Sequence, residues 1–308
     1  MGVYIGVDLG GTNIKVVAVD RDGAIRARTR VETRDSIADT HEKTQYWLTS
    51  IREATKKAEE ESARDIEAIG IAAPGLVSRD ETTIATMPGR LKGLEGLNWT
   101  EELAQPRPVP VLNDAQAALL AESWLGAAVN ARDAVMLTLG TGVGGAILAD
   151  GHILRGRIGR AGHLGHLSLN PDGPPDICGA PGSLELMVGQ ATLAERSLGR
   201  FATYEELLQA YRRGDTVATD VWLQSVKALA VGIVSIINIL DPEVVLLGGG
   251  ISAAEELGES LKAYMDEYEW RPGGHTVPVR TAQLGPYGGA IGAARKAMVQ
   301  GEENQWHA

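Results

Sequence analysis

Three short stretches combine residue types that suit phosphate. Asp8-Leu9-Gly10-Gly11-Thr12-Asn13 places a carboxylate at the end of a β-branched run and follows it with two glycines. Residues without a Cβ let the backbone approach a ligand closely, and successive N–H groups in such a turn form a nest for an anion. Thr12 adds a hydroxyl donor, and Asp8 beside phosphates makes sense if it holds Mg²⁺ through water. A plain hairpin turn has the same appearance. Leu139-Gly140-Thr141-Gly142-Val143-Gly144-Gly145 lies between two strand-like runs. It therefore matches neither a Rossmann fingerprint nor a P-loop, whose Lys it lacks. Four glycines around one Thr exceed what a flexible hairpin requires. Gly248-Gly249-Gly250 follows an apolar run, and ligands of open α/β sheets sit beyond the carboxyl ends of strands. A flat adenine or ribose close to the backbone explains these glycines as well as tight strand–helix packing does. Asp114, between the first two turns in sequence, follows a strand-like run and opens a helical one. That reads as an N-cap, where the helix dipole favours an ionised carboxylate. Such a group can take the proton of a hydroxyl that attacks a γ-phosphate; capping alone is the other explanation.

The elements that must position these residues are legible in outline. Residues 3–7, 14–19 and 24–31 read as strands linked by hairpins, the first turn being the glycine-rich one. An amphipathic helix follows over about 37–61, then a strand over 67–73 closed by Pro74-Gly75, a strand over 109–112 closed by Asn113-Asp114, and a helix over 115–125. The same grammar then restarts: strands at 134–139 and 146–149 flank the second glycine turn, Asp150-Gly151 signals a hairpin, and 153–154 return. Several helices, a strand over 244–247, a helix from about 253 and a last helix over 288–297 complete the chain, with a polar tail over 301–308 expected to fray. No linker separates the halves, so two lobes closing over a cleft is the natural architecture.

At 308 residues the chain suits two domains and can bury a large core without staples. Its net charge of -11 argues against nucleic acid and against an anionic membrane surface as partners. Cys178 is the single cysteine, so no intramolecular disulfide forms, which points to a reducing compartment. There is no charged segment followed by an apolar one at the N-terminus. The longest apolar stretch, 228–240, falls short of the roughly 20 residues of a membrane span and reads as a buried core helix. The expected location is the cytoplasm.

Taken together, these motifs resemble the ROK family of sugar kinases and repressors, in the superfamily of actin and hexokinase. The resemblance covers nearly the whole chain, through Asp8-Leu9-Gly10-Gly11-Thr12, Ala73-Pro74-Gly75, Leu112-Asn113-Asp114-Ala115, the turn from Leu139 to Gly145, Gly162-His163-Leu164-Gly165-His166 and Leu247-Gly248-Gly249-Gly250. It implies an α/β, two-lobed actin-like (ribonuclease H-like) ATPase fold with duplicated sheet-plus-helix domains and a central cleft. The smaller lobe is expected at 1–114 with a C-terminal helix at about 290–308, and the larger at 115–289. The implied activity is ATP-dependent phosphorylation of a hexose at its primary 6-hydroxyl, glucose first. Fructose, N-acetylglucosamine, N-acetylmannosamine or allose as substrate, or a non-catalytic sugar sensor, are the alternatives. ATP with Mg²⁺ would lie on Asp8, Gly10, Gly11, Thr12, Asn13, Gly140, Thr141, Gly142, Gly144, Gly248, Gly249 and Gly250. The sugar would meet Pro74, Gly75, Asn98, Asn113, Asp114, His163, His166 and Glu185, with Asp114 as catalytic base. Asn98, in Gly96-Leu97-Asn98-Trp99, suits a turn or cap equally well. A homodimer, with neither nucleic acid nor membrane as partner, is also implied.

The chain departs from the family twice. The family's Glu-x-Gly-His reads His163-Leu164-Gly165-His166, so a histidine replaces a fixed negative charge and sugar selectivity is open at that position. The family's Cys-x-Cys-Gly-x-x-Gly-Cys-x-Glu reads Asp176-Ile177-Cys178-Gly179-Ala180-Pro181-Gly182-Ser183-Leu184-Glu185. A structural zinc takes four ligands, mostly thiolate and imidazole. His166, Asp176 and Cys178 give three at best and Ser183 is a poor ligand, so no structural zinc is expected; Pro171, Pro174, Pro175 and Pro181 are expected to hold the loop instead. A repressor would carry a helix-turn-helix before the first strand, and a filament protein has no use for Asn113-Asp114 together with Glu185 and His166. The kinase is the reading carried forward.

Overall fold

The computed structural model describes residues 2–87 and 89–306. Two compact units emerge. The first holds the chain up to Asn130, Ile153–Ala161 and the chain from Gln283 onward; the second holds Ala131–His152 and Gly162–Ala282.

In the first unit, β1 (Val3–Leu9), β2 (Asn13–Val19) and β3 (Ile25–Glu32) form an antiparallel meander. The helix α1 (Thr40–Ser62) leads to β4 (Ile66–Ala73), which runs parallel to β1. A small two-stranded sheet, β5 (Leu76–Val77) with β6 (Ile84–Thr86), and a single helical turn, α2 (Trp99–Glu102), precede β7 (Val111–Asn113) and α3 (Asp114–Leu125). The sheet order is β3-β2-β1-β4-β7. β1 is apolar on both faces because both are covered: α1 packs through Trp47, Leu48 and Ile51 on one side, and the C-terminal helix, Gly288–Trp306, packs on β1 and β4 on the other. That second contact is made at backbone distance. A Cβ at Gly6 would overlap the carbonyl oxygen of Ala290 and lie 2.7 Å from Ala294 N, and one at Gly292 would lie 2.9 Å from Ala117 Cα.

The second unit repeats the plan. β8 (Ala134–Leu139) and β9 (Val143–Ala149) form an antiparallel hairpin, and β10 (His152–Ile153) adds to its edge. The helices α4 (Leu184–Val188), α5 (Leu193–Arg196), α6 (Tyr204–Arg212) and α7 (Thr216–Leu240) follow. Then β11 (Val244–Gly248) pairs parallel with β8, α8 (Glu255–Tyr268) crosses over, and β12 (Val279–Thr281) pairs parallel with β11. The order β10-β9-β8-β11-β12 has the same connectivity as the first sheet. By length and composition α7 could cross a membrane; its apolar side chains, among them Trp222, Leu229 and Ile233, instead build the core of this unit.

Three details differ from expectation. The first crossing between units falls after Asn130 and not at 114, because α3 packs on the C-terminal helix within the first unit. Ile153–Ala161 also returns to the first unit, where Arg155 pairs with Glu81 at 2.9 Å. The last helix continues to Trp306, beyond its expected end at 297, and the remaining two tail positions lie outside the described residues.

The backbone-level packing is testable. Gly6→Ala forces a methyl into the Ala290 carbonyl and should lower stability by about 1–3 kcal/mol. Gly258→Ala, in mid α8 with open space around it, should instead raise stability by about 0.5–1 kcal/mol. Thermal melts of the two variants check the opposite signs.

Candidate active site

The antiparallel register of β1 and β2 sets Asp8 opposite Lys15, and Lys15 Nζ donates to Asp8 Oδ2 at 2.9 Å. Burial pushes the Asp8 carboxyl above its usual range, against the pull of Lys15. The turn that follows is tied from behind. Gly10 N donates to Asn13 O at 3.1 Å, Thr33 N to Thr12 O at 3.0 Å, and Thr33 Oγ1 to Gly10 O at 2.6 Å. None of Gly10, Gly11, Thr12 and Asn13 adopts a left-handed conformation, so the glycines here serve close approach and not an unusual φ. The Arg90 guanidinium illustrates this: it lies over Gly11, with Cζ 2.7 Å from where a Cβ would stand. Gly289, at the start of the C-terminal helix, approaches Asp8 from the other side, where a Cβ would lie 3.1 Å from Asp8 Cγ.

Asp114 follows β7, but it is not the N-cap. Asn113 is: its Oδ1 accepts from Ala115 N at 3.0 Å, and Asp114 is the first residue of α3. The correction has a simple cause: the backbone of Asn113 is still extended (φ -64°, ψ 146°), the conformation of a cap, whereas Asp114 already belongs to the first helical turn. Asp114 remains in that first turn and keeps the favourable dipole. It is accessible to solvent, yet desolvation by the surrounding protein and the charge of Asp8 push its carboxyl up to about 6. Asn113 Nδ2 donates to Gly75 O at 3.1 Å, so the Pro74-Gly75 bend, Asn113 and Asp114 are one connected group. Gly75 has φ of 106° and its Cβ position lies 2.6 Å from Thr86 O, so glycine is required there. Asn98 caps α2, accepting from Thr100 N at 3.1 Å and donating to Glu101 Oε1 at 2.8 Å; its amide is engaged within its own turn.

In the second unit, Gly140 N donates to Gly142 O at 3.0 Å across the second glycine turn. The turn's carbonyls are held by a separate segment: Gln190 N donates to Gly140 O at 3.0 Å and Ala191 N to Thr141 O at 2.9 Å. Gly144 continues the hairpin opposite Thr138. In the third stretch, Gly248 ends β11. Gly249 is left-handed, with φ of 88°, beneath the backbone of Leu139, and Gly250 faces open space. His163 and His166 stack with ring centroids 6.5 Å apart. Desolvation and then the neighbouring His166 lower the His163 pKa, so its imidazole is neutral near pH 7, and its buried Nε2 has no hydrogen-bond partner among the described residues.

His166, Asp176 and Cys178 do come together, with one donor atom from each within 4.8 Å of the others. They do not fit a structural zinc. Asp176 Oδ2 is 2.7 Å from His166 Nδ1, and its Oδ1 accepts from Cys178 N and Ala180 N, both at 2.9 Å. Although burial opposes the charge, those hydrogen bonds hold Asp176 at about 2. Desolvation and the charges of Asp176 and Glu185 push the Cys178 thiol up. The three donors fall short of the four a structural zinc takes. Loop 176–183 is fastened by the Asp176 carboxylate, a role that reading its prolines did not suggest.

Sequence reasoning also missed Lys15 and Arg196. The first was within reach, because a turn centred on Gly11-Thr12 pairs Asp8 with Lys15 by counting along the strands. The second was not. Arg196 donates to Gly189 O at 2.9 Å, Ser225 Oγ at 2.7 Å, Tyr204 OH at 3.1 Å and Thr192 Oγ1 at 3.2 Å, bracing the segment behind the second turn.

Comparison with known proteins gives the family. The model of the ROK family matches residues 4–300. A glucokinase from Thermotoga maritima is 34% identical over 82% of this chain and 83% of its own. Among solved structures, a ROK hexokinase from Thermus thermophilus superposes with a TM-score of 0.85 at 33% identity, over 98% of this chain and 99% of its own. A ROK family glucokinase from Streptomyces griseus, in complex with glucose and AMPPNP, has a TM-score of 0.79 at 29% identity over 97% of this chain and 100% of its own.

Asp176→Ala leaves the part-buried donors around it without their acceptor. At about 1–3 kcal/mol for each donor left unpaired, the variant should melt well below the wild type, whereas Cys178→Ser should melt close to it. Thermal denaturation in the presence of a chelator reads both.

Proposed function

From a chain that belongs to the ROK family, we propose an ATP-dependent kinase that transfers the γ-phosphoryl group to the primary 6-hydroxyl of a hexose, glucose first. The observation that carries the reading is the Asp114 carboxyl, raised to about 6 beside Asp8 at the start of α3. A general base is most effective with a pKa near the working pH. At neutral pH Asp114 is mostly ionised and still basic enough to take a hydroxyl proton. The hydroxyl oxygen then bonds to the γ-phosphorus as the bond from that phosphorus to the bridging oxygen of ADP breaks.

The proposed sugar ligands are Gly75, Asn113, Asp114, His163, His166 and Glu185. The N–H groups of the turns at Gly10–Asn13, Gly140–Gly144 and Gly248–Gly250 are proposed for the nucleotide, where fixed dipoles hold the phosphates in line at no reorganisation cost. Asp8 would hold Mg²⁺, since Lys15 engages only Oδ2; the ion, when bound, neutralises phosphate charge. The family resemblance also supports a homodimer, to be checked by sedimentation, and a cytoplasmic location. No structural zinc is proposed, so a chelator should leave the melting temperature of the purified protein unchanged. His163 in place of the family's glutamate favours a second reading, a kinase for another hexose.

A coupled ADP-release assay with glucose, fructose, allose, N-acetylglucosamine and N-acetylmannosamine separates these readings; absence of turnover on all of them sinks the proposal. Asp114→Asn should lower kcat by about 10²–10⁴-fold while the affinity for an ATP analogue changes little. The sign of the pH dependence follows from the raised pKa. The active form is the deprotonated one, so kcat/KM should be level above pH 6 and fall about tenfold per unit below it. A profile flat down to pH 5 would remove Asp114 from the role.

A further inference from the structure

Glu185 stands in two places at once. It is the second residue of α4, directly after the loop fastened by Asp176, and its Oε2 accepts from Val143 N at 2.9 Å. Val143 closes the second glycine turn and opens β9. The carboxylate occupies the space above Gly142: a Cβ there would overlap Oε2 and lie 2.9 Å from Cδ. Gly142 has no left-handed φ that would otherwise demand glycine. Its lack of a side chain is what makes room for Glu185.

The far end of α4 is also stitched to the same turn. Gly189 N donates to Glu185 O at 2.7 Å, and a Cβ at Gly189 would lie 3.0 Å from Thr141 O and 3.2 Å from Gly142 Cα. Gln190 and Ala191 then hold the carbonyls of Gly140 and Thr141, and Arg196 locks Gly189 O to Ser225 on α7. The back of this clasp is thus rigid and made of backbone, while its front is a single carboxylate. Among the described residues Oε2 is the oxygen of Glu185 that meets the turn, and Oε1 has no protein partner.

We propose that Glu185 couples the two substrates: Oε2 holds the phosphate turn while Oε1 accepts a hydrogen bond from the sugar, so each ligand organises the binding site of the other. The inference rests on the reading of Glu185 as a sugar ligand, and adds to it that the same side chain shapes the nucleotide turn. Sugar bound to Oε1 fixes the carboxylate and with it Val143 N and Gly142; a nucleotide that draws the turn into place fixes the carboxylate for sugar. Coupling of this kind is reciprocal, so each substrate raises the affinity for the other by one common factor.

The test is a thermodynamic cycle. Affinity for a non-hydrolysable ATP analogue is measured with and without saturating glucose, and affinity for glucose with and without the analogue, by titration calorimetry. In the wild type, glucose should tighten the analogue by a factor within about 5–150-fold. In Glu185→Ala that factor should fall to near one. Gly142→Ala displaces the Glu185 carboxylate while leaving the other proposed sugar ligands in place, and should weaken glucose binding about tenfold even with no nucleotide present, as expected for loss of a charge-assisted hydrogen bond. Should Glu185→Ala fail to fold, Gly142→Ala decides alone. An unchanged coupling factor in Glu185→Ala, or unchanged nucleotide-free glucose affinity in Gly142→Ala, overturns the coupling and leaves the kinase reading standing. Absence of binding to any hexose by the wild type overturns both.

Discussion

Two carboxylates, Asp8 and Asp114, share the field of one ammonium, Lys15. Asp8 lies directly across the hairpin from Lys15 and bonds to it. Asp114 feels the Asp8 charge as a repulsion that adds to its own desolvation, and Lys15 only partly offsets it. Burial raises both carboxyls, and the two differ in their partners: Asp8 is bonded to the ammonium, whereas Asp114 accepts from the backbone N–H of Ala115. Without Lys15, neighbouring carboxylates would compete to hold a proton and the distinction between them would blur. The surrounding elements maintain this inequality. Backbone-level packing of the C-terminal helix brings Gly289 against Asp8, and the Asn113 cap fixes the start of α3.

The second unit shows what duplication preserves and what it releases. Both sheets have a central strand with a hairpin on one side and parallel strands on the other, and each hairpin carries a glycine turn. In the first unit the turn follows a carboxylate on its own strand. In the second, the residue before the turn is Leu139, and the carboxylate comes from α4. A negative group beside the turn is therefore kept in both units, but supplied locally in one and from a distant helix in the other. Only the second arrangement can link the turn to a separate loop, because only there does the carboxylate belong to another element.

That difference also sets what was legible in the sequence. The hairpins, the repeated strand–turn–strand pattern and the helix after Asn113-Asp114 follow from local alternation and turn chemistry, and the observed strands lie within a few residues of those expected. The three-residue β12 and the single turn α2 carry too few residues for any periodicity to appear. The boundary after Asn130 depends on how α3 and the C-terminal helix pack, which no local pattern encodes. At the site, the glycines were read as room for a ligand, and the side chains that approach two of them, Arg90 at Gly11 and Glu185 at Gly142, are long-range in sequence and were invisible. Asn98 was legible as either ligand or cap, and its amide is engaged as a cap.

The loop around Asp176 carries the same logic into sugar recognition. Prolines reduce the freedom of the unfolded chain, but they do not orient a side chain; Asp176 does. Held at about 2, it is a carboxylate that only accepts, so His166 donates to it from Nδ1, which leaves Nε2 to face Cys178. The Cys178 thiol, pushed up and therefore protonated, stands 3.4 Å from that Nε2. His163 adds a neutral imidazole whose Nε2 is buried and unpartnered among the described residues. A neutral imidazole recognises hydroxyls by the direction of its hydrogen bonds, where a glutamate would recognise any donor within reach. A buried nitrogen left without a partner costs about 1–3 kcal/mol, so in the proposed sugar site a sugar that satisfied His163 would be favoured over one that did not by roughly that amount. On that proposal, discrimination at this position would depend on the orientation of one hydroxyl rather than on charge.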